Sequence, residues 1–167
     1  MGQLIDDMLN LSRVSRSELK REQVNLSAIA RTICEEFRAA EPKRKAEFVI
    51  ADGLMMEGDG QLLYQVLENL LGNAWKFTEK RETTTIEFGL LQRGDERIYF
   101  VRDNGVGFDM AYADRLFSPF QRLHKASEYP GTGIGLATVK RIVARHGGRV
   151  WIEGEVGKGS MVYFMLP

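Results

Sequence analysis

The sequence predicts an α+β fold, a two-layer α/β sandwich in which helices cover one face of a mixed, mostly antiparallel sheet, plus one N-terminal helix. Segments with helical periodicity alternate with short apolar segments typical of strands. Two pairs of these strands are joined by glycine-containing turns that suit antiparallel hairpins. The 167 residues suffice for one domain with an appended element, and a hydrophobic content of 44% can form its core.

The first third of the chain predicts two helices and a strand. Residues 1–19 carry Leu, Ile and Met at helical spacing, and this apolar stripe needs a partner helix from this chain or from a second copy. The polar run SRSELKREQ follows this helix. Asn25 and Ser27 are both candidate N-caps of a helix that ends at about Ala40. The segment AEFVIA, residues 46–51, predicts a strand.

The middle of the chain predicts a long helix and a hairpin. Residues 58–60, Gly-Asp-Gly, predict a break before a helix whose apolar residues between positions 62 and 71 share one broad face. Residues 83–91 and 97–102 predict two strands joined by the turn QRGDE. Residues 109–116 predict a short helix.

The last third predicts an irregular segment, a helix and a closing hairpin. Residues 117–133 form a loop longer than is usual inside a compact domain, which indicates either a functional loop or disorder. Residues 134–145 predict a helix that stops at Gly147-Gly148, a C-terminal glycine signal. The final residues predict two strands around the turn GEVGKG.

Composition excludes several classes of protein. The formal net charge is zero, so overall charge indicates neither a nucleic-acid partner nor contact with an acidic membrane. The single cysteine, Cys34, excludes an intrachain disulfide framework and a multi-cysteine zinc site, and its helical context favours a buried structural thiol. No apolar run of about 18 residues and no secretory signal occur, so we expect a cytoplasmic chain or fragment.

Three short motifs carry residues suited to ligand chemistry. In NLLGNAWK, Asn69, Asn73 and Lys76 share one helical face, where amide oxygens suit Mg²⁺ and lysine suits a phosphate; the alternative is a solvated polar face. In DNGVGF, Asp103 follows a strand and precedes two glycines, which suits either close approach to a flat ligand or an ordinary Asx-type turn. In GTGIGL, residues 131–136 begin a helix, which suits either phosphate binding or a hinge.

The order of these motifs resembles the ATP-binding catalytic domain of sensor histidine kinases, in the superfamily of gyrase, Hsp90 and MutL-type ATPases. NLLGNAWKFT resembles the N box, DNGVGF the G1 box, FSPFQRL the F box, GTGIGLA the G2 box and GKGSMVYFMLP the terminal glycine box. The segment FQRLHKASEYPGTGIGLATVKRIVARHGG is similar to the phytochrome-type branch. The resemblance covers about residues 23–167 and implies a Bergerat-type fold that binds Mg²⁺ and ATP, with the catalytic domain at residues 21–167.

The resemblance also implies a role for each matching residue. Asp103 would accept a hydrogen bond from the adenine amino group, Ser160 would join this network, and Gly105 and Gly107 would let the loop pass close to the nucleotide. Asn73 would ligate Mg²⁺. Asn69 and Lys76 would lie near the phosphates and, together with Arg122, would serve catalysis. Phe117 and Phe120 would anchor a lid at about residues 117–133, in which Arg122 and His124 could face the phosphates. The triphosphate would be wrapped at the start of the following helix by Gly131, Thr132, Gly133, Gly135 and Leu136.

The N-terminal helix, residues 1–20, resembles the end of the second helix in the family's dimerisation and phosphotransfer hairpin. The phosphoacceptor histidine of that hairpin is not matched, because His124 falls in the lid and His146 at a helix end, where a cationic or capping role is expected. We therefore expect a fragment that acts on a histidine helix of the parent protein and, through it, on a response regulator. Dimerisation could involve residues 1–20.

The alternative functions are a serine kinase or ATPase of the same superfamily, and a nucleotide-binding module without turnover. Related ATPases place a glutamate one helical turn before the metal-binding asparagine, where this chain has Asn69, and this difference favours a kinase. Glu68 is adjacent in sequence but lies about 100° around the helix.

Overall fold

A computed structural model describes residues 2–16, 18–118 and 134–167. Its elements follow the predicted alternation of helices and strands. In chain order they are α1 (Gly2–Arg16), β1 (Arg21–Asn25), α2 (Leu26–Ala40), β2 (Ala46–Ile50), β3 (Met55–Asp59), α3 (Gly60–Phe77), β4 (Thr84–Arg93), β5 (Glu96–Asp103), a 3₁₀ helix (Met110–Phe117), α4 (Gly135–Arg145), β6 (Arg149–Glu155) and β7 (Gly159–Met165).

The main sheet has five strands in the order β2-β4-β5-β7-β6. Only the β2–β4 pair is parallel, and the other three pairs are antiparallel. Both predicted hairpins are present, β4–β5 and β6–β7. This sheet, packed by helices, confirms the predicted α+β class with a mixed, mostly antiparallel sheet.

The core lies between the sheet and helices α2, α3 and α4. Side chains with no more than 2% exposure meet there from β4 (Ile86, Phe88), from α3 (Leu63, Leu67) and from α4 (Ile142). The other face of the sheet has a separate, smaller apolar cluster centred on β5 and β7. This division agrees with strand alternation, since neighbouring residues of a strand point to opposite faces.

Sequence patterns did not predict the short sheet formed by β1 and β3. The residues of β1 are mostly polar and overlap the end of the polar run SRSELKREQ, and β3 ends in the Gly-Asp expected to be a break. The two strands pair antiparallel from Arg21 with Asp59 to Asn25 with Met55. Backbone hydrogen bonds hold such a pair together, so a side-chain pattern need not show it. Asp59 is also the N-cap of α3, with its Oδ1 accepting from the amides of Gln61 and Leu62.

The two candidate N-caps of α2 have different roles. Asn25 is the cap, since its Oδ1 accepts from the amide of Ala28 at 3.0 Å. Ser27 is not a cap but lies inside the first turn, where its buried hydroxyl donates to the carbonyl of Ala51 at 2.6 Å and accepts from the amide of Leu54 at 2.9 Å. Ser27 therefore joins α2 to the segment between β2 and β3.

Replacing Ser27 with alanine should lower the free energy of unfolding by about 1–3 kcal/mol, because it leaves a buried amide and a carbonyl without their partner. Urea denaturation of the purified chain would measure the loss. The matched control is Thr32→Ala in the same helix, whose hydroxyl is exposed and donates to the Ala28 carbonyl. The control should change stability by at most about 0.5 kcal/mol. Equal effects of the two variants would contradict the bridging role of Ser27.

Helix α1 packs on the rest of the chain mainly through its C-terminal end. Val14 is 1% exposed, and the Nη1 of Arg145 in α4 donates to its carbonyl at 2.7 Å. Asn10 donates to the side chain of Gln65 in α3. The partner helices for this end therefore come from the same chain. The apolar stripe nearer the N-terminus is exposed at Leu4, Ile5, Met8 and Leu9.

No described helix has the length and apolar character required to cross a membrane.

Two further predictions concern single side chains. Cys34 is buried in α2, as expected, and burial raises the pKa of its thiol to about 12. His146 is the C-cap residue of α4 and is 2% exposed. Its Nδ1 lies 2.7 Å from the Ile142 carbonyl, and its Nε2 accepts from the amide of Asp59 at 3.1 Å. A carbonyl accepts and an amide donates, so these contacts fit a ring with its proton on Nδ1, and the place of His146 at the end of α4 is that of the expected capping role.

Candidate functional site

Asp103 ends β5 in the middle of the sheet, and its carboxylate is 9% exposed. Its Oδ1 accepts from the amide of Gly105 at 2.8 Å, which forms an Asx-type turn. Its Oδ2 accepts from the hydroxyl of Ser160 at 2.9 Å, since β7 places Ser160 directly opposite in the sheet register. The structure therefore brings together two of the predicted site residues.

Burial is the main influence on the Asp103 carboxyl and raises its pKa, while the hydrogen bonds from Gly105 and Ser160 lower it in part. Each carboxylate oxygen accepts one of these hydrogen bonds, and an ionised carboxylate has capacity for more. The arrangement is therefore a largely buried acceptor able to bind a donor group of a ligand.

The glycines of the DNGVGF loop allow it to pack on the protein's own backbone. Gly107 has a φ of +66°, and a Cβ atom there would collide with the carbonyl of Glu155. A Cβ atom on Gly105 would lie 2.5 Å from the carbonyl oxygen of Phe77. Both glycines are thus required by the fold itself, and their predicted closeness to a nucleotide stays a prediction.

Several hydrogen bonds fix this loop between its neighbours. The Oδ1 of Asn104 accepts from the Thr85 amide, and its Nδ2 donates to the Thr83 carbonyl, each at 2.9 Å. The amide of Val106 donates to the carbonyl of Phe77, the last residue of α3, at 3.2 Å. Sequence reasoning missed Asn104, although it stands inside the motif, and also missed Arg81, which donates to carbonyls of the loop.

Asn69, on the polar face of α3, lies against the start of α4. Asn69, Asn73 and Lys76 are all half-buried, and the Nδ2 of Asn69 donates to the Gln65 carbonyl at 2.9 Å. A Cβ atom on Gly135, the first residue of α4, would lie 2.8 Å from the Oδ1 of Asn69. The absence of a side chain at Gly135 therefore permits this approach. Leu136 follows and is half-buried.

Helix α3 connects both parts of the candidate site. Its middle holds Asn69 beside Gly135, and its last residue, Phe77, accepts a hydrogen bond from the DNGVGF loop. The Lys76 ammonium lies 4.8 Å from the centre of the Phe77 ring. One rigid helix thus sets the spacing between the Asp103 carboxylate and the polar residues near the start of α4.

Part of the predicted site lies outside the described residues. Phe117 is buried at the end of the 3₁₀ helix, at the beginning of the predicted lid. The predicted lid and phosphate-loop residues that fall outside the description are Phe120, Arg122, His124, Gly131, Thr132 and Gly133.

A magnesium ion would need oxygen ligands from the protein. The described residues contain no cluster of three or more His, Cys, Asp or Glu side chains suited to holding a metal. The one predicted ligand, Asn73, offers an amide oxygen of the type that Mg²⁺ accepts. Mg²⁺ commonly binds through few protein ligands together with waters and substrate phosphates, so this donor fits the ion in the presence of a nucleotide.

The chain belongs to the Histidine kinase-, DNA gyrase B-, and HSP90-like ATPase family, which matches residues 58–167. This match runs from the end of β3 to the C-terminus and includes both halves of the candidate site. The resemblance predicted from the motif order is thereby confirmed, and the domain is of the ATP-binding catalytic type found in histidine kinases.

Individual relatives include a phytochrome and a histidine kinase. The whole chain is 37% identical to part of Cyanobacterial phytochrome A of Nostoc sp. and 36% identical to part of the Methanogenesis regulatory histidine kinase FilI of Methanothrix harundinacea. The chain spans about a fifth of each, 22% and 19% of their lengths. Full-length ShkA, solved in complex with AMPPNP, superposes with a TM-score of 0.78 at 30% identity, covering 98% of this chain and 35% of that one.

Proposed function

We propose that this chain is the catalytic domain of a two-component sensor histidine kinase. It binds ATP with Mg²⁺ and transfers the γ-phosphate to a histidine on a helix outside this sequence. The main support is the buried Asp103 with its half-buried partner Ser160, held at the end of the central strand by a loop that is packed on α3 and on the β6–β7 hairpin.

The adenine end of the site would use Asp103 as an acceptor for the amino group of the base. A ligand that cannot donate a hydrogen bond to a buried charged acceptor binds weakly, because the cost of removing water from the acceptor is then not offset. Ser160 would hold the carboxylate in place through its hydroxyl, and the backbone of Gly105 would do so from the other side. Gly107 would keep the loop in a conformation that exposes the carboxylate to the base.

The phosphate end would be formed by α3 and the beginning of α4. Amides at the N-terminus of α4, from Gly135 and Leu136, suit a negatively charged group, and Lys76 adds a positive charge. Asn69 would help to orient the phosphates, and Asn73 would hold Mg²⁺, which when bound offsets charge on the phosphate oxygens. The predicted lid and loop would complete the site with Phe117, Phe120, Arg122, Gly131, Thr132 and Gly133.

Transfer would depend on positioning and charge neutralisation, with the acceptor imidazole itself as the nucleophile. The chain therefore needs no strong base for water, in keeping with an asparagine at position 69. His146 is unsuitable as the acceptor, because it is buried and both ring nitrogens make contacts with the backbone. The acceptor would be supplied by the parent protein's phosphotransfer helix, to which residues 1–20 would belong.

The partners follow from this role. A response regulator would receive the phosphate from the acceptor histidine, and the domain would work in the cytoplasm without contacting nucleic acid or a membrane. Dimerisation of the parent protein could use the exposed apolar stripe of α1.

Incubation with radiolabelled ATP and Mg²⁺ tests the transfer. The chain alone should give no acid-labile phosphohistidine, whereas adding the histidine-bearing hairpin of the full-length protein should produce labelling. The control is the same hairpin with its acceptor histidine replaced by glutamine. ATP binding without labelling of the hairpin would favour a module without turnover. Rapid ATP hydrolysis without any acceptor would favour the ATPase alternative.

A further inference from the structure

Arg81 lies in the connection between α3 and β4, outside every motif that predicted the site. Its guanidinium donates to three backbone carbonyls. The Nε donates to Asn104 at 2.8 Å, and the Nη2 donates to Gly105 at 3.0 Å and to Gly157 at 2.6 Å. The first two carbonyls belong to the DNGVGF loop and the third to the turn between β6 and β7, so one side chain joins three segments of the chain.

The peptide group between Asn104 and Gly105 connects Arg81 directly to Asp103. Its carbonyl oxygen accepts from the Nε of Arg81, and its N–H donates to the Oδ1 of Asp103 at 2.8 Å. A carbonyl that accepts from a cation polarises the N–H of the same peptide group, which strengthens the bond that this N–H donates. Arg81 therefore helps to fix the orientation of the Asp103 carboxylate through one planar peptide group.

The other hydrogen bonds described for the loop are made by neighbouring groups, so Arg81 is the partner described for this peptide carbonyl. The adjacent hydrogen bonds of the loop, from Val106 to Phe77 and from Gly157 to Val106, hold the following residues. The side chain of Asn104 holds the loop to β4 from its other edge. Arginine suits the position because its rigid fork presents several N–H donors in one plane, which lysine cannot do.

We propose that Arg81 is a positioning residue that sets the adenine selectivity of the site through the Asn104–Gly105 peptide group and Asp103. This inference rests on the proposed function. Arg81 needs no contact with the nucleotide. It strengthens only the contribution to nucleotide affinity that comes from the amino group of the base.

Calorimetric titration with two probes separates this role from general folding. The probes are ADP and purine riboside diphosphate, which is ADP without the amino group, both with Mg²⁺. Arg81→Gln should bind ADP about tenfold more weakly, the loss expected for one weakened charge-assisted hydrogen bond, and purine riboside diphosphate with little change. Arg81→Lys should lie between wild type and Arg81→Gln.

Arg31→Gln is the matched control. Arg31 is also an exposed arginine that donates to a backbone carbonyl, Ile50, and it pairs with Asp52 away from the DNGVGF loop. This variant should retain the wild-type ratio of affinities for the two probes. Thermal unfolding of each variant is measured without nucleotide. The titrations are then carried out at a temperature at which every variant is folded.

Amide hydrogen exchange provides a second measurement. Exchange at Gly105 should accelerate in Arg81→Gln, because the hydrogen bond from this amide to Asp103 weakens. An unchanged ratio of affinities for the two probes, whether both are retained or both fall equally, would overturn the inference and assign Arg81 to folding alone. Failure of the wild-type chain to bind ADP would instead overturn the proposed function, and this inference with it.

Discussion

Replacing Asp103 with alanine should weaken ADP binding by about 100-fold, since a hydrogen bond to a buried charged acceptor contributes up to about 3 kcal/mol. Asp103 is 9% exposed and its carboxylate accepts from Gly105 and Ser160, so alanine would leave these two donors and the ligand without this acceptor. Titration calorimetry with ADP and Mg²⁺ would measure the loss. The variant Asp95→Ala, in the exposed turn between β4 and β5, makes the same change of charge and should bind as the wild type does.

The conservative variant Asp103→Asn separates binding from stability. Binding should fall strongly, while the free energy of unfolding at neutral pH should rise, because burial raises the pKa of Asp103 and ionising it costs stability. For an acid with a raised pKa in the folded state, this cost is fully present above the folded pKa. It disappears as the pH falls below the unfolded pKa. The stability gain of Asp103→Asn should therefore vanish in acid.

Two results would contradict this role for Asp103. Unchanged ADP affinity in Asp103→Ala would remove the residue from the adenine site. A loss of affinity that merely follows a loss of folded protein, as judged by circular dichroism at the titration temperature, would limit Asp103 to closing its turn.

Gly107→Ala should lower the free energy of unfolding by about 3 kcal/mol and abolish ADP binding. The alanine would have to adopt a left-handed conformation, and its Cβ would collide with backbone atoms. The φ of Gly107 is +66°, and the new Cβ would meet the carbonyl oxygens of Glu155 and Gly159, both backbone atoms of the β6–β7 hairpin. Neither atom can move without separating strands that pair between these two residues. Urea denaturation and ADP titration would measure the two effects.

Gly53→Ala is a matched control for the conformational part of this cost. Gly53 has a similar φ of +70°, but a Cβ there would meet no atom within 4 Å. Its substitution should cost only about 1 kcal/mol and leave ADP binding unchanged. If both glycine variants lost the same stability, the close packing of the loop on the hairpin would contribute nothing, and the account of Gly107 would be wrong.

The elements that sequence patterns predicted are those in which side-chain periodicity coincides with burial. Helix α3 is predicted because its apolar residues form one continuous face toward the sheet, and the β4–β5 pair because apolar strands flank a glycine turn. The β1–β3 pair was missed because its backbone pairing involves few buried side chains, of which Val24 and Met56 are two.

Sequence patterns likewise indicated some residues of the candidate site and missed others. Asp103, Asn69 and the glycines were found because their residue types and order are specific to a family. Arg81 was not found, because an exposed arginine in a polar connection has no distinctive pattern. Its three carbonyl partners lie 23 to 76 residues away along the chain, and a carbonyl belongs to the backbone, so no residue type indicates it.

Periodicity and short local motifs in the sequence were enough to establish the class of the fold, the family and the candidate site residues. The tertiary structure decided which of these groups meet. It placed Ser160 against Asp103 through strand register, Asn69 against Gly135 through the packing of two helices, and the ring of His146 against the start of α3. Each of these contacts joins residues far apart in the chain, and only the burial of a shared core fixes their distance and orientation.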